Sequence, residues 1–350
     1  MKIIYSKKVS EAYKTKVQDF CGVWQNAQSE FVIKTSGSTG KPKDIVLKRE
    51  IMELSAKQTA KVFGLKKNDT ALCCLNVDYI AGKMMLVRAM VIDMDIVITE
   101  PKANPFLEID ESLKIDFFAF VPLQIQQILS QNLNHLAFFK QAKAIILGGA
   151  ALNNDLENAI KATNLPFFAT YGMTETVSHI AIRPIRRELE KKVFQTLGDM
   201  IIDVDERFCL KICGSLTESK WLQTNDLVNI VNEKSFELLG RIDNVINSGG
   251  VKLDLEKIEA NIFSVFKQLE LEPLFFLFGL EDSTLGQKLV LVAEDCANLP
   301  SENELLVYFQ KEMTKFEVPK RIFVVKKVLM TPTMKIDKQA TVQPILTDNL

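Results

Sequence analysis

Along residues 31–171, short apolar runs alternate with stretches in which apolar positions recur every three or four residues. The runs at 31–34, 71–75, 95–99, 117–121, 144–147 and 167–170 have the length of strands. Between the first two, Met52, Ala56, Ala60 and Phe63 fall on one face of a helix. Strands alternating with helices in this way predict a parallel sheet covered by helices on both faces.

The pattern changes after residue 240. Leu255, Ile258, Ile262 and Phe266 mark one helix, residues 274–278 and 289–293 read as strands, and Ser301 with Glu304 has the spacing of a capping box that opens a second helix. Residues 321–325 supply a last strand before a loop-like tail containing Thr331, Pro332 and Thr333. The fold class expected is therefore α/β. A large α/β domain with helix-covered sheets (residues 1–240) precedes a smaller, mobile α+β domain (residues 241–350). The sequence contains no internal repeat and no low-complexity segment.

Charge narrows the range of partners. The chain has 350 residues, with 43 Lys and Arg against 44 Asp and Glu, so no global field recruits nucleic acid or an anionic membrane. Any anion must be bound locally. The six cysteines lack paired metal-ligand spacing, and Cys209 and Cys213 sit in an alternating stretch that reads as a strand. They are read as reduced thiols of a cytoplasmic protein. The first residues lack the apolar stretch of a secretory signal, and the most apolar run, 273–280, is too short to span a bilayer, so no integral membrane segment is expected.

The stretch richest in chemistry is Thr35-Ser36-Gly37-Ser38-Thr39-Gly40-Lys41-Pro42-Lys43, set between the run at 31–34 and a second one at 45–47. Its glycines permit close backbone approach, its hydroxyls and free N–H groups suit phosphate oxygens, and its lysines add charge. The Walker spacing is absent, since Pro42 follows Lys41 where a hydroxyl residue would open a helix. The same residue types also build ordinary surface turns.

Further segments follow in order: Leu147-Gly148-Gly149-Ala150, Tyr171-Gly172-Met173-Thr174-Glu175-Thr176, Thr224-Asn225-Asp226, Gly240-Arg241-Ile242-Asp243 with Ser248-Gly249-Gly250-Val251-Lys252, and Pro332-Thr333-Met334-Lys335-Ile336-Asp337-Lys338. Singly, each also reads as a glycine turn, a solvated polar loop or an exposed tail. Together, over roughly residues 31–338, they resemble the adenylate-forming superfamily of acyl-CoA ligases, peptide-synthetase adenylation domains and luciferases.

The resemblance implies roles. Thr35 to Lys41 and Lys43 would bind the triphosphate of ATP; Gly148, Gly149 and Ala150 would flank adenine; Tyr171 would stack on it, with Gly172 beside it in the nucleotide site; Thr174 would contact phosphate and Glu175 would hold Mg²⁺. Asp226 would accept from the ribose hydroxyls, Arg241 would bind ribose or phosphate, and Asp243 would mark a hinge. Ser248, Gly249, Gly250 and Lys252 would approach CoA. Lys335 would stabilise the charge that develops as a carboxylate attacks the α-phosphorus. The chain departs from the family at Asn225 and Met334, where glycine is usual, and at Lys338, where arginine is common.

Residues 78–88 and 171–179 resemble the branch of o-succinylbenzoate:CoA ligases of menaquinone synthesis, with Tyr79 where histidine is common. Tyr79, Gly82, Lys83 and Arg88 would then form the acid pocket, one of the two cations pairing a second carboxylate. Alternatively Met84, Met85, Val87 and Met90 make this stretch an amphipathic helix whose cations face water. Family members carry more chain before the phosphate loop than the 34 residues here, which leaves an edge that a second copy of the chain could cover, as in a homo-oligomer. Three alternatives remain open: a ligase for another aromatic or medium-chain acid, one that loads a carrier-protein thiol, and a catalytically silent adenylate-binding protein.

Overall fold

The computed structural model describes residues 1–34, 43–131, 133–189 and 191–348. Among these, the larger sheet has 12 strands in two halves. The first half runs Ile3–Tyr5, Asp95–Ile98, Thr70–Cys73, Phe117–Phe120, Ala144–Leu147 and Phe167–Gly172, every neighbouring pair parallel. The second continues through His179–Pro184, Val193–Thr196, Ser235–Arg241, Leu222–Asn232, Cys209–Cys213 and Ile201–Val204, every pair antiparallel. Phe117–Phe120 and Ala144–Leu147 are buried at all four positions, as strands covered on both faces must be.

The run at 31–34 lies elsewhere. Glu30–Lys34 pairs antiparallel with Asp44–Lys48 in a separate hairpin that brings Lys34 opposite Asp44 and so fixes the two ends of the loop between them. Its burial alternates, with Phe31 and Ile33 inside and Val32 exposed, which is the signature of a ribbon covered on one face. Trp24, on the helix Glu11–Gln25, anchors the hairpin by stacking on Phe31 at 5.3 Å and lying under the Arg49 guanidinium at 4.3 Å.

Ile80–Ile92 is a helix, but not an amphipathic one. Gly82 and the continuous run Met84 to Ala89 are buried, because the helix lies between the helix Arg49–Phe63 and the strands Thr70–Cys73 and Asp95–Ile98. Burying Met84, Met85, Leu86 and Val87 contributes roughly 1.5–3 kcal/mol each. Arg88 goes inside with them. The expectation that both cations face water therefore fails for Arg88, which is only 2% exposed.

The chain leaves the large sheet at Arg241, passes through a 3-10 turn at Ile242–Asn244 and enters a second sheet at Val245. Val251–Asp254, Val245–Ser248, Gly286–Glu294 and Phe275–Asp282 lie side by side in antiparallel pairing, and Arg321–Val325 adds in parallel to Gly286–Glu294. The helices Leu255–Gln268 and Glu302–Glu312 bury Ile258, Ile262, Phe266, Leu305 and Phe309 against it. The backbone N–H of Ser301 donates to Glu304 at 2.9 Å, so the capping box forms as expected. No helix among the described residues is long and apolar enough to cross a membrane.

Candidate active site

A cavity of about 210 Å³ opens where the parallel strands end. Val121, Gly148, Gly149, Thr170 and Gly172 line it from the carboxyl ends of Phe117–Phe120, Ala144–Leu147 and Phe167–Gly172, the position at which open α/β sheets place ligands. Tyr79, Arg88, Thr174 and His179 also line it, and residues 332–335 cover it from the far end of the chain.

A tight turn places Lys335. Met330 and Ile336 form a bridge, the Thr331 N–H donates to the Lys335 carbonyl at 2.7 Å, and the Lys335 N–H donates to Thr331 Oγ1 at 3.1 Å. The lysine side chain runs over Gly149, whose φ is +89°, and a Cβ built on that glycine would stand 3.5 Å from Lys335 Cε. Burial, with Arg241 nearby, lowers the Lys335 pKa from its ordinary value. A cation shielded from water and surrounded by few countercharges is disposed to meet an anionic substrate.

Across the cavity, Arg88 is held without an acid. Its Nη2 donates to Ser178 Oγ at 2.6 Å and its Nε to Thr59 Oγ1 at 3.3 Å, and no carboxylate of the described residues pairs with it. Burial pulls its pKa down to about 10. His179 lies beside it, 3.3 Å from Thr59 Oγ1, and burial with the Arg88 charge holds the imidazole down to about 3, so it is neutral at physiological pH. Sequence reasoning did not single out Thr59, Ser178 or His179. The available signals were the resemblance carried by residues 171–179, which include Ser178 and His179, and the scarcity of histidine, of which the sequence has two.

Two of the expected acid-binding residues are elsewhere. Lys83 donates to the carbonyls of Val77 and Asp78 at 2.8 and 3.1 Å and lies over the Phe20 ring, so it ties the helix to the preceding loop rather than reaching the cavity. Gly82 is where that helix meets the loop: an added Cβ would come within 2.4 Å of the Asn76 carbonyl oxygen. Tyr79 does line the cavity, as the residue before the first helical turn.

Of the residues expected to bind nucleotide, Gly148, Gly149, Gly172 and Thr174 line the cavity, and Tyr171, Asp226 and Arg241 form a second group. Asp226 accepts from Tyr171 Oη at 2.5 Å and from Arg241 Nη1 at 3.0 Å, and Arg241 Nη2 donates to Asp243 at 2.8 Å. Asn225 Nδ2 donates to the same Asp243 at 3.0 Å. The Tyr171 ring is buried edge-on against Phe236 at 5.2 Å and does not line the cavity. Ala150 and Glu175 are exposed beside it, on a turn and on the 3-10 segment Thr174–Thr176. Lys43 directly precedes the strand Asp44–Lys48, whereas Thr35, Ser36, Gly37, Ser38, Thr39, Gly40 and Lys41 lie outside the described residues.

Gly249 and Gly250, both at positive φ, form the turn of the hairpin Val245–Ser248/Val251–Asp254, with Ser248 and Lys252 on its strands beside them, and none of the four is brought to the cavity. Lys338 donates to Glu259 at 3.0 Å and so braces the tail on the second sheet's helix. Among the described residues no three His, Cys, Asp or Glu side chains gather as a metal site. A lone carboxylate such as Glu175 fits Mg²⁺, which keeps most of its ligands as water and substrate phosphate.

Comparisons with known proteins bear on family and fold. The family model described as AMP-binding enzyme matches residues 9–206. A solved structure described as an acyl-CoA synthetase (AMP-forming)/AMP-acid ligase II-like protein, from Dyadobacter fermentans, is 40% identical over 97% of this chain and 96% of that one, with a TM-score of 0.61. The 2-succinylbenzoate--CoA ligase of Listeria monocytogenes is 25% identical over 96% of this chain and 74% of its own length. The O-succinylbenzoate Coenzyme A synthetase of Bacillus subtilis, solved with ATP and magnesium, is 21% identical over 90% of this chain and 70% of its own, with a TM-score of 0.72, a likeness of fold. The chain belongs to the AMP-binding enzyme family. Its enzyme class is that of the ATP-dependent, AMP-forming acid:thiol ligases, as the sequence implied.

Proposed function

We propose that this chain condenses a dicarboxylic acid with ATP to an acyl-adenylate and passes the acyl group to CoA, and that the acid is o-succinylbenzoate. The observation that carries the substrate class is Arg88, a guanidinium shut in the cavity wall with two hydroxyl partners and, among the described residues, no carboxylate. An unpaired buried charge is costly, and a second carboxylate on the substrate would relieve that cost. The names borne by the Listeria and Bacillus relatives support the particular acid.

The reactive carboxylate then attacks the α-phosphorus, forming the acyl–phosphate bond as pyrophosphate leaves with the electron pair of the broken P–O bond. Lys335, over Gly149, offsets the negative charge gathering between carboxylate and phosphate while remaining protonated. Thr174, in the cavity wall, would donate to a phosphate oxygen, and Asp226 with Arg241 would hold the ribose. Mg²⁺, held at Glu175, would neutralise the phosphates of the bound nucleotide. In the second step the CoA thiolate attacks the acyl carbon and AMP departs. Ser248 to Lys252 would serve that step after a pivot at Asp243, since they do not reach the cavity in the present arrangement.

Mass spectrometry of reactions with ATP, CoA and single acids tests the proposal. The expected product is the CoA thioester of o-succinylbenzoate, with much less from benzoate or a medium-chain fatty acid. Preferential thioester formation with a monocarboxylate would keep the ligase and reject the acid; a thioester on a carrier protein but not on CoA would reject the thiol.

A further inference from the structure

The turn that delivers Lys335 carries an apolar side chain on a backbone that favours glycine. Met334 has φ +59°, in the left-handed region where a Cβ is disfavoured. Local bonds hold it there: its N–H donates to the Thr331 carbonyl at 2.9 Å, inside the bridge between Met330 and Ile336. Glycine would take this conformation freely. Strain kept beside a reacting group is a reason to ask what the side chain does.

The Met334 side chain lines the cavity and packs against the apolar cluster that contains Leu75, Val77, Met85, Val121 and Val177. Those residues lie on the helix Ile80–Ile92 and on loops that follow strands of the large sheet, so Met334 completes the cavity from a different part of the chain. We propose that Met334 is a specificity-determining residue for the acid: it forms one apolar wall of the acyl cavity and limits the bulk of the group accepted there. This rests on the ligase reading above. Wall and lysine are consecutive residues of one turn, so an acyl group that displaces Met334 also displaces Lys335. Bulk is therefore read in kcat as well as in KM, because a misplacement near 1 Å costs on the order of a hundredfold in rate.

Pyrophosphate release with a compact acid and with a homologue enlarged by one or two methylenes provides the kinetic test, on wild type, Met334→Ala, Met334→Gly and Met334→Leu. In both shortened variants the enlarged-to-compact ratio of kcat should rise at least about tenfold, the discrimination a methylene-sized fit provides. Met334→Leu, which restores the bulk, should keep the wild-type ratio. An unchanged ratio in the alanine variant, or a change in the glycine variant alone, would overturn the proposal and leave Met334 a matter of backbone conformation. Calorimetric titration of the same acids onto the protein bound to a non-hydrolysable ATP analogue reads the wall without catalysis. A gain in affinity for the enlarged acid in Met334→Ala supports the wall even if no acid releases pyrophosphate, a result that would sink the ligase reading alone. No gain would overturn the wall.

Discussion

Replacing Arg88 by methionine separates what the residue does for substrate from what it does for the fold. In the unliganded protein its charge is carried at a loss. The drop from an ordinary 12.5 to about 10 corresponds to about 3 kcal/mol of unfavourable burial. Against this stand two hydrogen bonds from a charged donor, to Ser178 at 2.6 Å and to Thr59 at a longer 3.3 Å, together contributing about 3 kcal/mol. Methionine fills much of the same volume beside Met84 and Met85 and removes the charge, so Arg88→Met should change stability by no more than about 1–2 kcal/mol, in either direction. Binding should respond very differently. Leaving the distal carboxylate of a substrate buried and unpaired costs about 3–5 kcal/mol, or roughly a hundredfold to a few thousandfold in KM. A monocarboxylate of the same shape should lose little. The assay is urea unfolding in parallel with pyrophosphate release for a matched dicarboxylate and monocarboxylate. A large fall in stability with an unchanged dicarboxylate KM would refute the reasoning and make Arg88 a structural cation.

Further predictions follow from the same geometry. Arg88→Met should also raise the pKa of His179 from about 3, since one of its two depressing causes is gone, and imidazole NMR titration checks this. Because the lowered pKa of Lys335 sets where its ammonium is lost, adenylation should decline as pH rises before an ordinary lysine titrates; an alkaline limb at or above 10.5 would contradict it. Burial alone would raise the Glu157 carboxyl, but Arg183 at 3.0 Å and Lys192 at 3.2 Å bring it down to about 2. Its depressed folded-state pKa stabilises the protein above the unfolded value near 4.5, and that contribution of about 3 kcal/mol is lost as pH falls toward 2. Denaturant unfolding at pH 7 and pH 3 should accordingly show Glu157→Gln costing much less at the lower pH. On the pivot reading, Asn225→Gly frees Asp243 of an exposed hydrogen bond, so thioester formation should quicken by no more than about fivefold while pyrophosphate exchange stays unchanged; slower thioester formation would count against the pivot.

Several of these features could be read in the sequence because local patterns decide them. Ile258, Ile262 and Phe266 face one core, and Ser301 and Glu304 close a cap across three residues, without help from distant parts of the chain. The parallel strands were legible for the same reason, as short runs buried on both faces. What failed depended on distant partners. Residues 31–34 are a strand either way, and only pairing with 44–48 moves them out of the parallel sheet. Read alone, the Ile80–Ile92 helix is one-sided, yet neighbours cover Arg88 while Lys83, five residues earlier, turns back to cap a loop. At the site, the segments holding Lys335, Gly149 and Thr174 were found by their order along the chain. The contacts of Thr59 and Ser178 with Arg88, and of His179 with Thr59, required the fold.

The central claim, that this cavity adenylates an acid under Lys335, is tested most directly by acid-dependent exchange of labelled pyrophosphate into ATP in the absence of CoA. Wild type should exchange with o-succinylbenzoate, and Lys335→Ala should lose about a hundredfold to a thousandfold of the rate, the scale of removing one preorganised charge donor. Exchange that persists undiminished in Lys335→Ala, or that is absent from wild type with every acid, would contradict the account.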